Sequence, residues 1–569
     1  MTNKRWIPNE VDEAAAAQLQ AETQLPARLA KLLVSRGLTE PEGVEAFLNP
    51  QLRHLPNPAQ LKDLDKAAAR LADAILNQEQ VALYGDYDVD GVTSTSLLSS
   101  FLSSMGLPTR FYIPKRLTEG YGLNSDAIDL LAQEGTELLI TLDCGITASK
   151  EIARANEKGI ESIVVDHHRC PPALPEAYAT LNPQQEDCEY PDKGLAAVGV
   201  CFNLVVGVRK VLRERGYFSE RSEPDVREYL DLVALGTIAD MVPLKGVNRT
   251  LAWHGLIQLK RTRRLGLRAL MEVSKVRYGK CSSSDVGFRL GPRINAAGRL
   301  SDASVGVQLL LAENMDEARA HAETLDLANR QRQDIEAKVF AMSCKQIEAM
   351  ETLPDALVLY NEIWHPGVVG IVATKIVERY DRPTIIIGEG GRGSGRTAKG
   401  LHLYDAINAA SDLLMKFGGH RAAAGLTIET NKLETFRKRF TQEVEARKDA
   451  AQDETLLQYD EELDPSFFTH DFVKALERLQ PFGNGNPQPL FVTTGLKVKS
   501  SRIVGKDHLK LRLDPGGVQA IAFKRAELFD EMPPGSEIEM AYHLEWSEFA
   551  GMEYVELRAR DLRAASSDS

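Results

Sequence analysis

The chain has 569 residues, 43% of them hydrophobic and 26% charged, which is enough apolar material for several buried cores and excludes wholesale disorder. At about 100–200 residues per domain, this length predicts roughly three to five domains. The net charge of −13 taken alone argues against a polyanionic partner.

The sequence predicts neither a membrane-spanning helix nor export. No run approaches about 18 consecutive apolar residues, and the first residues turn polar and acidic where a secretory leader would be apolar. The six cysteines are scattered without a CxxC pair, which fits free thiols in a reducing compartment. A cytoplasmic protein without a membrane partner is expected.

The first predicted domain boundary separates a helical segment from an α/β domain. Residues 1–78 predict short helices, with apolar-periodic stretches at 14–18 and 27–34. Over 79–245, short apolar runs alternate with helical patterns, which predicts a parallel, doubly wound sheet. The strands are expected at 81–85, 110–113, 137–142 and 161–165, with helices at 94–104, 125–134 and 148–158. In such sheets ligands bind outside the carboxyl ends of the strands.

A basic block follows, in a predicted helical extension over residues 246–312. From Lys245 to Arg299 there are thirteen lysines and arginines against Glu272 and Asp285, a net charge of +11 that leaves −24 for the rest. Such a block in an acidic protein is typical of a track for a phosphate backbone. The alternative is a solvated helix surface, which is the more frequent meaning of an isolated charge run.

The remaining chain predicts a long helix and two further domains. Residues 313–351 contain no proline or glycine and predict a connecting helix of roughly 55–60 Å, unless it breaks near Asp334. Residues 352–452 predict a second α/β domain, with strands at 356–360 and 383–387 and helices at 368–380 and 404–416. Residues 453–569 predict a small all-β barrel from six alternating runs. A barrel that binds single-stranded nucleic acid and an ordinary packed barrel without a ligand are equally consistent with this pattern.

Acidic residues and histidines follow the predicted strands, one motif after another. They are Asp86, Asp88 and Asp90 after 81–85, Asp143 after 137–142, Asp166, His167 and His168 after 161–165, and Asp240 after an apolar run at 232–238 that also predicts a strand. So many carboxylates at one sheet edge would raise each other's pKa unless divalent ions neutralised them. Oxygen ligands with imidazoles favour Mg²⁺ or Mn²⁺.

This pattern predicts a two-metal phosphoryl-transfer site, in which two ions lie about 3.5–4 Å apart and share one carboxylate. Asp143 is expected to be the bridge because it follows a middle strand. A single aspartate after a strand is usually a helix cap or turn residue, but four such motifs favour a metal site. A calcium loop starting at Asp86 would need glutamate where Leu97 stands. Zinc would need a second Cys/His pair beside His167, His168 and Cys170, and none has matching spacing.

These motifs resemble a known family. GDYDVDG, LDCG, DHH and ADMVPL are similar to the four metal-site motifs of the DHH phosphoesterase superfamily, and most similar to those of its single-strand-specific 5′→3′ exonucleases. GPRINAAGR at 291–299 resembles the segment after the DHH domain, and GGHRAAAG at 418–425 resembles the signature of the partner DHHA1 domain. PFGNGNP at 481–487 resembles the join to a terminal OB-fold. The resemblance covers about residues 80–560.

The resemblance implies an architecture, an activity and a ligand set. It implies a DHH domain, a long connecting helix, a DHHA1 domain and an OB-fold barrel. It implies degradation of single-stranded DNA to 5′-mononucleotides in recombination and repair, with two Mg²⁺ or Mn²⁺ ions and with single-strand-binding protein and a RecQ-type helicase as partners. The implied metal ligands are Asp86, Asp88, Asp90, Asp143, His167, His168 and Asp240. Of these, Asp88, Asp143 and His168 are the implied catalytic residues, with His168 near the scissile phosphate.

A second group of residues is expected to bind the DNA backbone. Residues 390–397 match the P-loop spacing except that Arg396 replaces lysine, and no helix follows directly, so nucleotide hydrolysis is not expected. Their glycine-rich backbone, with Ser394 and Arg396, predicts a phosphate cradle. The full set of predicted DNA- or phosphate-binding residues is Arg293, Asn295, Arg299, Ser394, Arg396, Gly419 and His420.

Two other functions compete with the exonuclease. One is a small-substrate DHH phosphodiesterase acting on very short oligonucleotides or cyclic dinucleotides, but the basic block and the barrel favour a longer substrate. The other is a non-catalytic scaffold that binds strands, but such a scaffold would have lost metal ligands, and this chain retains the whole set.

Overall fold

The computed structural model describes residues 4–397, 401–447, 456–549 and 551–565. The chain forms two compact units, one made of Met1–Leu55, Pro243–Trp253 and Asp453–Ser569, and the other of Pro56–Val242 and His254–Gln452. The predicted N-terminal segment 1–78 is therefore divided between the units. None of the described helices combines the length and the apolar character needed to cross a membrane.

The chain begins with one short strand and three helices. They are β1 (Arg5–Pro8), α1 (Glu13–Thr23), α2 (Ala27–Val34) and α3 (Pro41–Leu48). Asp12 caps α1 by accepting hydrogen bonds from the amides of Ala14 and Ala15. The helices predicted around 14–18 and at 27–34 are confirmed.

A parallel five-stranded sheet forms the centre of the second unit. Its elements are α4 (Leu64–Asn77), β2 (Val81–Gly85), α5 (Val89–Ser104), β3 (Arg110–Tyr112), α6 (Ser125–Gln133), β4 (Leu138–Leu142), α7 (Ser149–Glu157), β5 (Glu161–Val165), β6 (Ala179–Leu181) and α8 (Ala197–Glu214). The strand order is β3-β2-β4-β5-β6, so β4 is the middle strand. β2 and β4 are buried throughout, which explains their uninterrupted apolar sequences. The predicted doubly wound domain is confirmed.

The apolar run before Asp240 is a helix, so the predicted strand at 232–238 is wrong. It forms α9 (Leu230–Ala239), and every residue from Leu230 to Ile238 is buried. A helix buried on all sides is apolar on all sides, and a short run of that kind lacks the periodicity that distinguishes helix from strand. Asp240 therefore lies at the end of a helix.

Five helices, a π-helical turn and the long helix follow. They are α10 (Gly246–Leu259), α11 (Leu265–Val273), α12 (Ser283–Asp285), the π-helical turn Val286–Leu290, α13 (Gly291–Leu300), α14 (Ser304–Leu311) and α15 (Met315–Glu348). α15 runs unbroken for 34 residues, about 51 Å at 1.5 Å per residue. The predicted connecting helix is confirmed, without a break at Asp334.

The basic block divides into paired and exposed side chains. Of its thirteen cations, nine are exposed and four are buried or half-buried. Arg249 donates to the carbonyls of Phe47 and Gln480, and Arg264 pairs with buried Asp231 at 3.2 Å. Part of the block therefore stabilises the fold, and the other part leaves cationic side chains exposed to solvent.

The second α/β domain is built on a mixed sheet. Its elements are β7 (Leu357–Tyr360), α16 (Pro366–Tyr380), β8 (Thr384–Ile387), β9 (Arg392–Arg396), α17 (Leu403–Asn408), β10 (Leu414–Gly419), β11 (Ala423–Ile428) and α18 (Leu433–Ala446). The order is β10-β11-β9-β8-β7, and only the β7–β8 pair of this sheet is parallel.

Two predictions for this domain are wrong. The helix expected at 404–416 ends at Asn408, and β10 begins at Leu414. The expected backbone cradle is the strand β9, which pairs with β8 on one side and β11 on the other. Because sheet hydrogen bonds occupy its backbone amides, these do not surround a phosphate, and only the side chains of Ser394 and Arg396 remain for such a role.

A closed barrel forms the C-terminal part of the first unit. The elements are β12 (Leu456–Tyr459), β13 (Glu461–Glu462), α19 (His470–Glu477), β14 (Phe491–Val504), β15 (His508–Asp514), β16 (Val518–Ala522), β17 (Glu537–Phe549) and β18 (Met552–Ala564). The pairings β14–β15–β16–β18–β17–β14 close the barrel, which confirms the OB-fold prediction. The N-terminal helices share its core, and β1 pairs with β12.

Candidate metal centre and active site

The turn between β2 and α5 carries three carboxylates in three different environments. Asp88 caps α5 by accepting hydrogen bonds from the amides of Asp90 and Gly91. Asp90 is fully buried and accepts from the amides of Ala197 and Val198, at the start of α8. Asp86 is 3% exposed, and its Oδ1 is buried without a hydrogen-bond partner in the described chain.

Asp143 follows the middle strand and is held in a left-handed backbone conformation. Its φ is +63°, a region that non-glycine residues rarely adopt, although aspartate adopts it more often than most. The side chain is 1% exposed, and its Oδ1 accepts no hydrogen bond from any described residue. The buried, unpartnered oxygen indicates that Asp143 is built for a ligand.

The two histidines complete the cluster. Nε2 of His167 lies 3.3 Å from Oδ1 of Asp143, 3.6 Å from Oδ2 of Asp240 and 3.9 Å from Oδ2 of Asp90. Nδ1 of His168 lies 3.8 Å from Oδ1 of Asp143. The structure therefore brings together all seven predicted metal ligands, although Asp240 lies at the end of a helix and not after a strand.

The ligand atoms form three overlapping groups, each with its atoms within 4.8 Å of one another. The groups are Asp86, Asp88 and Asp143; Asp143, His167 and His168; and Asp90, His167 and Asp240. Asp143 is shared by the first two groups, as expected of the bridge, and His167 is shared by the second and the third.

Burial and mutual repulsion shift the carboxyl pKa values upward. Burial, and then the charge of Asp88, raise the pKa of Asp86 and Asp143 well above the ordinary value. The same two causes raise the pKa of Asp90 to about 7, whereas burial followed by the charge of Asp90 raises the pKa of Asp240 to about 9. Burial lowers the pKa of His167 to about 4, so its imidazole is neutral and free to ligate.

These observations fit divalent ions. Buried carboxylates with unpartnered oxygens and neutral imidazole are costly without a cation and are favourable ligands for Mg²⁺ or Mn²⁺. Cys170 does not join any of the three groups among the described residues. The donor set is thus oxygen-rich, as the sequence predicts.

Asp166 and Tyr121 are functional residues whose roles the sequence does not predict. Oδ1 of Asp166 accepts from Nδ1 of His168 at 2.7 Å and from the amides of His167 and His168, and its Oδ2 accepts from the amide of Ile146. Burial opposes this network, but the bonds from His168 dominate, so the pKa of Asp166 is lowered. Against burial, the Asp166 partner raises the pKa of His168 to about 9.

Tyr121 reaches His168 from the loop between β3 and α6. Its hydroxyl lies 3.4 Å from Nδ1 and 3.5 Å from Nε2 of His168. Gly120 and Gly122, which flank it, have φ values of +89° and +83°. The Gly-Tyr-Gly triplet is the sequence feature that could have identified Tyr121. Glycines on both sides allow the loop to adopt positive φ values and so to place the tyrosine side chain beside the site.

Three arginines converge beside the metal cluster. Burial and the charges of Arg116, Arg332 and Arg396 lower the pKa of Arg299 to about 10. Burial and Arg116 also lower the pKa of Arg396. Within the described residues, Arg116, Arg299 and Arg396 form no ion pair with a carboxylate. Arg396 donates to the hydroxyl of Ser394 at 2.9 Å, so this predicted pair lies together, and Arg116 is an additional member.

Of the other predicted DNA-binding residues, Arg293 and Asn295 lie on α13 with partners of their own, and Gly419 and His420 lie on a hairpin. Nε of Arg293 pairs with Asp326 on α15 at 2.9 Å. Oδ1 of Asn295 accepts from the amide of Val89 at 3.2 Å. Gly419 and His420 lie at the exposed tip of the β10–β11 hairpin, where the amide of His420 donates to the carbonyl of Ala423.

Comparison with known proteins gives consistent results over the whole chain. The DHH family N-terminal domain matches residues 80–237, the DHHA1 domain 354–446 and the RecJ OB domain 459–561. The chain is 40% identical over 571 residues to the single-stranded-DNA-specific exonuclease RecJ of Dickeya dadantii, covering 97% of this chain and 98% of the relative. The RecJ of Escherichia coli is 39% identical over 562 residues, covering 95% and 96%.

Solved structures agree. RecJ of Thermus thermophilus in complex with Mn²⁺ matches with a TM-score of 0.83 and 31% identity, covering 99% of this chain and 80% of that one. The same protein in complex with Mg²⁺ matches with a TM-score of 0.76 and 30% identity, covering 99% and 79%. The chain therefore belongs to the RecJ family.

Proposed function

We propose that this protein is a metal-dependent 5′→3′ exonuclease that hydrolyses single-stranded DNA to 5′-mononucleotides. The observation that carries the proposal is the convergence of unpartnered, buried carboxylates and a neutral histidine at the carboxyl edge of the described sheet, in a chain of the RecJ family. Relatives of that family are single-stranded-DNA-specific exonucleases by name, and the site offers ligands for Mg²⁺ or Mn²⁺.

The cluster would hold two ions, with Asp143 among the residues that hold them. Asp86 and Asp88 would hold one ion, and Asp90, His167 and Asp240 would hold the other. Ions in such a pair lower the pKa of water and neutralise charge on the attacked phosphate and the leaving oxygen. The protein's own contribution is to fix these ligands at the carboxyl edge of the sheet and at the adjoining end of α9.

His168 acts at the mouth of the site. Its side chain is 41% exposed, and Asp166 fixes the orientation of the ring through Nδ1. In the metal-free chain Asp166 raises the pKa of this ring to about 9 against the effect of burial, and in its protonated form the ring can donate to a phosphate oxygen. Tyr121, on the loop between β3 and α6, contacts the same ring and limits its rotation.

The arginine cluster supports binding of a terminal phosphate and hence the 5′→3′ polarity. Arg116, Arg299 and Arg396 are cations without carboxylate partners among the described residues, and guanidinium groups suit a phosphate dianion. Ser394 adds a hydroxyl donor. A terminal phosphate held here would place the first phosphodiester bond at the metal centre, so that nucleotides leave one at a time from the 5′ end.

The test is a time course on single-stranded oligonucleotides labelled at either end, with and without 5′-phosphate. We expect mononucleotides from the 5′ end, no cleavage in chelator and no cleavage of a blunt duplex. Arg396→Lys keeps the charge but loses the paired donors, so the preference for 5′-phosphate should fall about 10-fold or more. Release from the 3′ end, or cleavage of a dinucleotide in preference to a long strand, would contradict the proposal.

The biological setting is proposed from the resemblance alone. Single-strand-binding protein and a RecQ-type helicase would supply and protect the single strands, in recombination and repair in the cytoplasm. Domain boundaries near residues 78, 245, 312, 351 and 452 stay a separate proposal from the sequence pattern, although the compact units divide the N-terminal segment after Leu55. Co-purification of this chain with either partner, compared with a chain lacking the barrel, tests the partner assignment.

A further inference from the structure

We propose that one face of α13 is a clamp that positions two metal-binding segments, the β2–α5 turn and the end of α9. Its residues Gly291, Asn295 and Gly298 contact those segments and do not touch the substrate. The three residues are four and three positions apart, so they lie on one face of the helix. All three belong to the GPRINAAGR segment, of which the proposed function uses only Arg299.

Each member of the face contacts a residue that lies next to a metal ligand in the sequence. A Cβ added at Gly298 would lie 2.7 Å from the carbonyl oxygen of Tyr87, the residue between Asp86 and Asp88. Oδ1 of Asn295 accepts from the amide of Val89, which stands between Asp88 and Asp90.

The third contact reaches the other end of the ligand set. A Cβ added at Gly291 would lie 3.1 Å from Cβ of Ala239, the neighbour of Asp240, and 3.8 Å from Cγ2 of Val89. A single helix face thus contacts both the β2–α5 turn and the end of α9. It fixes the backbone on which four of the proposed ligands are carried, Asp86, Asp88, Asp90 and Asp240.

The clamp also completes the hydrogen bonding of the backbone amides at the start of α5. Asp88 accepts from the amides of Asp90 and Gly91 but not from Val89, and Asn295 supplies the missing acceptor. The carboxylates of this turn repel one another when no ion is bound, so the turn needs support from outside the ligand set. Close glycine contacts and one hydrogen bond provide that support without adding charge.

The experiment measures Mn²⁺ binding directly, by titration calorimetry or by the loss of the free Mn²⁺ signal in electron paramagnetic resonance. Gly298→Ala and Asn295→Ala should weaken Mn²⁺ binding about 10-fold or more, as loss of residues that orient metal ligands typically does. Asn295→Asp keeps the acceptor and should bind Mn²⁺ more tightly than Asn295→Ala. Single-stranded DNA binding in chelator, measured by fluorescence anisotropy, should stay within about twofold of the unsubstituted protein, because these residues do not touch the strand.

Gly287→Ala is the matched control, because it lies just before α13 in the π-helical turn and an added Cβ there meets no described atom within 4 Å. It should bind Mn²⁺ like the unsubstituted protein. If Gly298→Ala does not fold, as judged by circular dichroism, Asn295→Ala and Asn295→Asp carry the test.

Two results would overturn the clamp. One is unchanged Mn²⁺ binding in Asn295→Ala. The other is a loss of DNA binding in chelator of well over twofold in Asn295→Ala, which would identify Asn295 as a DNA contact. The inference rests on the metal site of the proposed function, but different results would contradict each. If the metal site is wrong, the unsubstituted protein itself will not bind Mn²⁺. If only the clamp is wrong, the unsubstituted protein and the variants will bind Mn²⁺ equally well.

Discussion

Asp143 is the residue on which both halves of the metal centre depend. It belongs to two of the three ligand groups, and its Oδ1 has no other partner in the described chain. Asp143→Asn preserves the shape but removes the charge, so cleavage should fall at least about 10²–10³-fold. Steady-state cleavage of a 5′-phosphorylated single strand measures this.

The same substitution should leave the DNA-binding surface intact. Anisotropy in chelator should give an affinity for single-stranded DNA no weaker than that of the unsubstituted protein, since a repulsive carboxylate has been removed. Retained cleavage in a preparation of Asp143→Asn free of contaminating nuclease would show that Asp143 is not the shared ligand.

The carboxyl cluster also predicts how stability depends on pH in chelator. A carboxyl whose pKa is higher in the folded chain than in the unfolded chain favours folding while it stays protonated. That contribution disappears as the pH rises through the folded value. For Asp90, with a pKa near 7, and Asp240, with a pKa near 9, the metal-free melting temperature should therefore fall between about pH 6 and pH 9.

Mn²⁺ should reverse this trend. At about 100 times its dissociation constant, the ion adds roughly 2.7 kcal/mol to the free energy of unfolding. The gain in melting temperature should be larger at about pH 8 than at about pH 6, because protons compete for the same oxygens. Differential scanning fluorimetry measures both trends, and an equal gain at both pH values would contradict ion binding by these carboxyls.

At the scale of elements, α13 packs closely against α16, which belongs to the DHHA1 domain. A Cβ added at Gly367 would lie 2.3 Å from the carbonyl oxygen of Arg299, and the guanidinium of Arg299 donates to the carbonyl of Gly367 at 3.2 Å. Gly367→Ala must separate these helices.

If α16, which carries no proposed metal ligand, is the helix that shifts, this separation should weaken the terminal-phosphate site while sparing the metal site. We expect the KM for 5′-phosphorylated strands to rise about 10-fold, in line with loss of a charge-assisted contact, with Mn²⁺ affinity unchanged. Gly43→Ala in α3, where the nearest atom lies 3.9 Å from the added Cβ, is the control. An unchanged KM in Gly367→Ala would mean that the packing of α13 against α16 does not position the arginines.

The sequence correctly predicts those elements whose local pattern is compatible with only one type of secondary structure. β2, β4 and β5 are buried apolar runs between helical patterns, and the acidic residues that follow them locate the metal site. The sequence does not identify α9 as a helix, because a helix buried on all sides has no periodicity to read. It does not predict β9 and β10, because glycine-rich, polar segments become strands only through pairing with their neighbours.

Site residues on loops escape prediction for a related reason. Arg116 and Tyr121 follow β3 on a loop whose path depends on contacts with distant elements, among them the hydrogen bond from Arg392 to the carbonyl of Leu117. Asp166 is visible in the sequence as part of the DHH motif. Its role in orienting His168 follows only from the 2.7 Å contact between the two side chains.

For the whole molecule, the uneven distribution of charge predicts how binding responds to salt. The net charge is −13, yet nine cations of the basic block are exposed, and three arginines that pair with no described carboxylate lie by the metal centre. The logarithm of the binding constant should fall linearly with the logarithm of salt concentration, with a slope of about −0.7 per phosphate contact. Anisotropy over roughly 50 to 300 mM salt in chelator measures it, and a flat response would exclude a backbone track.

The metal cage is tested most directly by anomalous diffraction at the manganese edge from crystals soaked in Mn²⁺. Two peaks are expected at the carboxyl edge of the parallel sheet, about 3.5–4 Å apart, with an oxygen of Asp143 bonded to both. A single distant peak, or no peak within bonding distance of Asp143 and His167, would contradict the assignment of this cluster as the catalytic centre.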